Sequence, residues 1–156
     1  MPKQANQRDR IRLTDTEAES FLTQARTLVL ATNGHDGSPH LVAMWYAVKD
    51  GELLMTTYGK SQKAVNIGRD PRASVLIESG EQYNRLKGLM LRGRASIVQD
   101  VKFTAEVLTL VGAKMSGVAV SPEQQKTLET QAQKRVVIRF RPEKFASWDH
   151  SKVAGG

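Results

Sequence analysis

The chain has 156 residues, 40% hydrophobic and 25% charged, which suffices for one domain with its own core and excludes bulk disorder. The longest uninterrupted apolar run covers residues 41–48; it is far shorter than the roughly 20 residues of a membrane span, and no secretory leader is recognisable near Met1. Zero cysteines exclude disulfides and thiolate chemistry, so we expect a cytoplasmic protein without a membrane partner.

The net charge is +7, and three of these charges fall within residues 1–12. The remaining surplus is ordinary for a globular domain and suits an anionic ligand about as well as nucleic acid. A nucleic-acid binder needs a basic face with aromatic residues placed to stack on bases. Aromatic residues make up 6% of this chain and are scattered, so we expect no nucleic-acid partner.

The first predicted element is a helix. Residues 1–12 read as a disordered basic arm, after which Thr14 and Glu17 form a capping box that starts a helix with an apolar stripe. Further helices are predicted over residues 61–67, 100–111 and 122–134; Ser121 caps the last of these, with Pro122 in its first turn. The pattern predicts one domain over residues 13–150 and a flexible tail over residues 151–156.

Strand patterns make up most of the remaining chain. Asp50 and Gly51 predict a type I′ hairpin turn, and Gly93 predicts a bulge inside a strand. The predicted strands cover residues 28–32, 40–49, 52–58, 73–78, 88–98 and 135–141. Hairpin connections between them favour a mainly β fold, a six-stranded antiparallel β-barrel with peripheral helices.

The densest polar cluster covers residues 58–66, where a strand runs into a helix. Gly59 permits a tight turn, Ser61 can cap the helix or donate to a phosphate oxygen, and Lys60 and Lys63 add positive charge. This pattern is typical of an anion site. It is also typical of a plain capped helix with solvated lysines, the commoner use of such a pattern, and the residues alone leave both interpretations open.

The other polar residues give weaker indications of a functional site. The three histidines lack metal-ligand spacing, so we expect no metal site, and no nucleophilic serine motif is present. Asp149 could orient His150 as a proton donor, although a structural role is more common. Arg92 and Arg94 are predicted to lie on the same face of a strand. They would form either a solvated surface or a contact with an anion or another subunit.

Four segments together resemble the pyridoxamine 5′-phosphate oxidase-like, flavin-binding split-barrel superfamily. They are the strand and turn over residues 29–39, the strand and helix over residues 53–66, the Asn-x-x-Arg-Asp-Pro-Arg run at residues 66–72, and Gly-Arg-Ala at residues 93–95. The short chain and the Arg-Asp-Pro-Arg run look most like the branch that uses the deazaflavin coenzyme F420. The resemblance implies a split barrel of the FMN-binding type and a homodimer with the cofactor groove at its interface.

The resemblance also implies cofactor-binding residues by position. Ala43, Met44 and Trp45 would line the deazaflavin ring, and Thr56, Thr57 and Tyr58 would follow its edge and ribityl chain. Lys60, Ser61, Lys63 and Asn66 would meet the phosphate. Gln82, Tyr83 and Trp148 would come from the partner subunit. No residue is singled out as catalytic; solvent, Tyr58 and His150 are the candidate proton donors.

The function implied is an F420-dependent oxidoreductase that transfers a hydride to a conjugated, electron-poor small molecule. Two alternative functions are compatible with the same fold. One is an FMN-dependent oxidoreductase, and the other is a carrier that binds F420, flavin or haem without turnover.

Overall fold

The structure is a computed structural model that describes residues 6–154. Its helices are α1 (Gln7–Ile11), α2 (Asp15–Gln24), α3 (Gln62–Arg69), α4 (Val101–Ser116) and α5 (Pro122–Ala132). Its strands are β1 (Thr27–Asn33), β2 (Pro39–Trp45), β3 (Ala47–Lys49), β4 (Glu52–Tyr58), β5 (Arg72–Ser79), β6 (Lys87–Val98) and β7 (Arg135–Asp149). Two short 3-10 turns cover Tyr83–Arg85 and His150–Val153. No helix within residues 6–154 has the length and apolar character needed to cross a membrane.

All seven strands form one antiparallel sheet in the order β2-β1-β5-β6-β7-β4-β3. β2 and β3 lie at opposite edges of this sheet, yet only Tyr46 separates them along the chain. The two edges must therefore approach each other at Tyr46, which curls the sheet into a split barrel. The predicted single strand over residues 40–49 is wrong for this reason: the chain leaves one edge and joins the other, giving seven strands instead of six.

Tyr46 fills the position where the edges meet. Its side chain is fully buried, and its hydroxyl donates a hydrogen bond to the Leu22 carbonyl of α2. The barrel interior is filled by inward-facing residues of the strands, among them Leu30, Met55 and Phe140. This apolar filling and the α2 contact hold the curled sheet closed.

Helix α4 covers the outer face of β3, β4 and β7. Val107 and Val111 of α4 pack there against Leu54 and Val137. Three successive residues of β4, Leu53 to Met55, are consequently buried, because one side of this strand faces the barrel interior and the other faces α4. α5 packs beside α4 and leads into β7.

The local signals read from the sequence are confirmed at four positions. The Thr14 capping box is formed with Glu17, and Ser121 caps α5. Asp50 and Gly51 both have positive φ, as a type I′ turn requires. The β6–β7 register shifts at Gly93, where a Cβ would lie 2.0 Å from the Arg141 carbonyl oxygen.

Both chain ends differ from their predictions. Residues 1–5 of the predicted disordered arm lie outside the described residues, but residues 7–11 form α1, whose Ile11 is buried. β7 continues from residue 141 to Asp149 because the long strand β6 pairs with it throughout. In the predicted flexible tail, residues 151–153 form a 3-10 turn, and Lys152 donates to the Arg12 carbonyl at 2.7 Å; residues 155–156 lie outside the described residues.

Candidate functional site

The junction between β4 and α3 is built around Ser61. The Ser61 hydroxyl oxygen accepts hydrogen bonds from the Ala64 amide at 3.4 Å and from the Thr57 hydroxyl at 3.1 Å. The first amides of a helix have no partner inside the helix, and Ser61 satisfies only one of them. The polar start of α3 therefore lies at the end of β4, with positive partial charge on its free amides.

Cations surround this junction. Burial, together with repulsion from Arg135, lowers the pKa of the Lys63 ammonium below its ordinary value. The Arg135 guanidinium lies 4.6 Å from the centre of the Tyr58 ring. Within residues 6–154, no carboxylate lies within 4.0 Å of Lys60, Lys63 or Arg135. Unpaired cations placed this close to one another favour binding of an anion.

Arg135 was not among the predicted site residues. It starts β7 and pairs in register with Tyr58 at the end of β4, although the two are far apart in the sequence. Only the β4–β7 pairing brings this guanidinium to the start of α3, and no local pattern encodes that pairing. A groove of about 610 Å³ runs past Tyr58, Lys60 and Arg135 towards Asp100 at the start of α4.

Asn66 has a different role from the one expected. Its side chain is 0% exposed, donates to the Thr32 hydroxyl at 3.1 Å, and accepts from Gln62 at 2.8 Å and from Arg69 at 3.2 Å. A fully enclosed amide offers no surface to a ligand, so the expected contact with a phosphate is corrected. Asn66 instead fixes α3 to β1.

The strand residues expected beside the cofactor divide by side-chain direction. Ala43 and Trp45 point outward from β2, and Trp45 is 59% exposed, whereas Met44 packs against the barrel core. On β4, Thr57 faces inward and is buried, while Thr56 is half-buried and Tyr58 is 57% exposed. The structure thus leaves Ala43, Trp45, Thr56 and Tyr58 accessible and turns Met44 and Thr57 inward.

The residues expected from a partner subunit form a second cluster. Trp148 lies against Gly88 on the neighbouring strand, and the ring of Tyr83 meets the edge of His150 with centroids 4.6 Å apart. Gln82 precedes Tyr83 and is exposed. This cluster lies at the end of β7, and Arg135 lies at its start. One chain therefore does not bring the two groups of predicted residues together.

The arginine pair noted in the sequence lies on β6. Arg92 and Arg94 are both exposed on β6, and Arg94 pairs with Glu143 at 3.3 Å. Within residues 6–154, no group of three histidine or carboxylate side chains is arranged to hold a metal ion.

A curled antiparallel sheet whose edges meet, with a polar helix start at the end of one strand, defines a split-barrel protein. The sequence profile of the pyridoxamine 5′-phosphate oxidase family matches residues 14–149, and the chain belongs to that family.

The chain is also similar to individual proteins. The chain is 38% identical to a conserved hypothetical protein of Mycobacterium tuberculosis, Rv2991, whose crystal structure superposes with a TM-score of 0.88 over 100% of this chain and 94% of that one. A structure described as an F420 reductase shares 29% identity, with a TM-score of 0.64 over 82% of this chain and 94% of that one. An F420H2-dependent biliverdin reductase of M. tuberculosis (strain CDC 1551 / Oshkosh) is 35% identical over 92 residues, which are 58% of this chain and 63% of that protein.

Proposed function

We propose that the protein is an F420-dependent oxidoreductase that reduces a conjugated, electron-poor small molecule. The observation that carries this proposal is the set of unpaired cations at the β4–α3 junction, Lys60, Lys63 and Arg135. Two relatives, an F420 reductase and an F420H2-dependent biliverdin reductase, support the choice of cofactor. F420 carries a phosphodiester and several carboxylates, so its negative charge suits this junction.

The residues at the junction would hold the anionic part of the cofactor. Lys63 is half-buried, so its charge is only partly screened by solvent and attracts a phosphate more strongly than a fully solvated lysine would. Arg135 is held against the Tyr58 ring, which orients its guanidinium as a phosphate donor. Trp45 and Ala43 offer an outward apolar surface on β2 for a flat ring.

Reduced F420, when bound, supplies the hydride, and a proton must reach the same substrate to complete the reduction. The chain would contribute the orientation of the cofactor and the substrate relative to each other. The Tyr58 hydroxyl and the His150 imidazole are the candidate proton donors of this chain, and solvent is the third source.

We further propose that two copies of the chain share the cofactor groove. The register places one uncharged row across five neighbouring strands on the outer face of the barrel, consisting of Ala43, Val29, Leu76, Met90 and Ala146. Trp45 and Leu41, both exposed, extend this apolar surface along β2. Such a surface is usually covered in solution, and a two-fold pairing buries it against itself.

Pairing would also explain why the predicted residues form two separate clusters. Trp148 and Tyr83 of one chain could then approach the α3 start of the other. Met90→Glu, on the apolar row, should convert a dimer to a monomer in light scattering, whereas Val118→Glu, at an exposed position after α4, should not. A wild-type monomer at working concentration would contradict the shared groove.

Cofactor binding is tested by titrating the protein with F420 and FMN while following tryptophan fluorescence. We expect saturable quenching by F420, weakened about 10-fold to 100-fold in Lys63→Ala because a charge-assisted hydrogen bond contributes about 1.5–3 kcal/mol. Lys126→Ala removes an exposed lysine on α5 and serves as the matched control. Preference for FMN would assign the protein to flavin chemistry, and binding of neither cofactor would overturn the proposal.

Turnover is tested separately with reduced F420 and a panel of conjugated acceptors. Oxidation of the cofactor that depends on the acceptor supports an enzyme. Tight binding of F420 with no oxidation across the panel would favour a carrier.

A further inference from the structure

A cavity of about 750 Å³ lies between α1 and the end of β7. Arg8, Ile11 and Arg12 border it on one side, and Phe145, Trp148 and His150 border it on the other. Its volume is that of a pocket for a small organic molecule. Neither the family match nor the cation cluster at α3 accounts for it.

The α1 wall of this cavity is fixed to the barrel at several points. Ile11 at the end of α1 and Leu13, two residues further on, are buried. The Leu13 amide donates a hydrogen bond to the Ser147 hydroxyl of β7 at 3.0 Å. Lys152 donates to the Arg12 carbonyl at 2.7 Å. These contacts hold α1 beside β7, so the cavity is part of the folded domain.

Two aromatic side chains form the opposite wall. Trp148 is held against Gly88, and Phe145 is 53% exposed. Exposed aromatic surface beside an ordered indole suits a flat ligand, because aromatic rings gain from stacking as well as from burial.

The cavity is also cationic. Arg12 pairs with Asp9 at 3.2 Å, but Arg8 has no carboxylate within 4.0 Å among residues 6–154. A guanidinium without a carboxylate partner binds a carboxylate ligand through charge-assisted hydrogen bonds. The charge therefore favours an acidic ligand over a neutral one.

His150 adds an uncommitted polar group. Its imidazole borders the cavity, and its Nδ1 is buried without a hydrogen-bond partner within residues 6–154. The ring rests edge-on against Tyr83, which limits its rotation. An imidazole in this setting can form a hydrogen bond to a polar group of a ligand.

The geometry points to this cavity as the binding site of the acceptor, and to a planar, conjugated carboxylate as the acceptor's chemical class. The aromatic wall receives the conjugated plane, Arg8 receives the carboxylate, and His150 lies beside both. The role of the ligand as an acceptor rests on the proposed function, in which the shared groove would bring the end of β7 of one chain to the cofactor held at the α3 start of the other. The binding of an aromatic carboxylate does not depend on the proposed function, and it can be measured without any cofactor.

A matched pair of probes tests the inference: 2-naphthoate carries a carboxylate, and 2-naphthamide is its neutral equivalent of similar shape. In isothermal titration calorimetry with the full chain, we expect 2-naphthoate to bind at least 10-fold more tightly. Arg8→Ala should remove most of that preference. Arg10→Ala, on an exposed position of the same helix that does not border the cavity, should leave it unchanged, and Phe145→Ala should weaken both probes.

Equal affinity for the two probes, or equal effects of Arg8→Ala and Arg10→Ala, would overturn the inference. Melting temperatures of the variants show whether each is folded. Failure of F420 to bind while 2-naphthoate binds would overturn the proposed function and the acceptor role that rests on it, but not the binding of an aromatic carboxylate in this cavity. F420 binding without any 2-naphthoate binding would overturn the acceptor site alone.

Discussion

Replacing Gly88 with alanine would place a methyl group in the volume that the Trp148 indole occupies. A Cβ at Gly88 would lie 2.1 Å from Trp148 Cζ2 and 2.2 Å from Cε2, which is well inside the distance at which carbon atoms repel. The indole must therefore move away from β6. Overpacking of this kind costs about 1–3 kcal/mol of unfolding free energy, and we expect Gly88→Ala to lose that amount.

The assay is urea unfolding together with tryptophan emission, performed in a Trp45→Phe background so that Trp148 is the one reporter. We expect a lower unfolding midpoint and a shifted emission maximum in the native state. Gly68→Ala is the control, because a Cβ at that position of α3 meets nothing within 4 Å and alanine in a helix stabilises by about 0.5–1 kcal/mol. An unchanged midpoint and emission for Gly88→Ala would refute the reasoning.

Two further predictions concern buried polar groups. Asn66→Ala should lower the unfolding free energy by about 1–3 kcal/mol in urea titrations, because it leaves the buried Thr32 hydroxyl without the Asn66 donor. Gln62→Ala, at an exposed neighbour of Asn66, should cost less than about 1 kcal/mol, and equal losses for the two variants would contradict this network. Burial lowers the pKa of Lys114 to about 8, so between about pH 8 and pH 10 the unfolded chain holds a proton that the folded chain has released, and stability should rise with pH. Lys114→Met should abolish this rise of stability with pH, and it should stabilise the protein at pH 7 by about 1 kcal/mol after allowance for solvent screening. A loss of stability in this variant at pH 7 would show that the contact of Lys114 with the Tyr46 ring outweighs the cost of burying the ammonium group.

The sequence predicted the features that short stretches of chain determine. The Thr14 capping box, the Asp50-Gly51 turn and the bulge at Gly93 each depend on residues within one turn or one strand, and all three are confirmed. The extent of β7 depends instead on β6, which lies across an intervening pair of helices. Residues 141–146 are exposed and show no alternating pattern, so nothing local indicates that the strand continues.

The candidate site also contains some residues that the sequence could predict and others that it could not. Ser61 and Lys63 could be found because a strand end, a glycine and a helix cap follow one another in the sequence. Arg135 could not, because its position depends on a pairing between distant strands. Asn66 was placed in the right helix, but its burial follows from the approach of Thr32 on β1. Side-chain direction on a helix cannot be read without the element that packs against it.

The position of β7 in the sheet has a consequence for synthesis of the protein. Of the seven strands within residues 6–154, β7 leaves the ribosome last, yet it lies between β6 and β4 and joins the unit formed by β2, β1, β5 and β6 to the unit formed by β4 and β3. Until it arrives, each unit exposes a strand edge and half of a barrel interior, a state prone to association with other nascent chains. The sheet is therefore completed only when β7 has been added, and a chain cut short before Arg135 should be handled by the cell as unfolded protein.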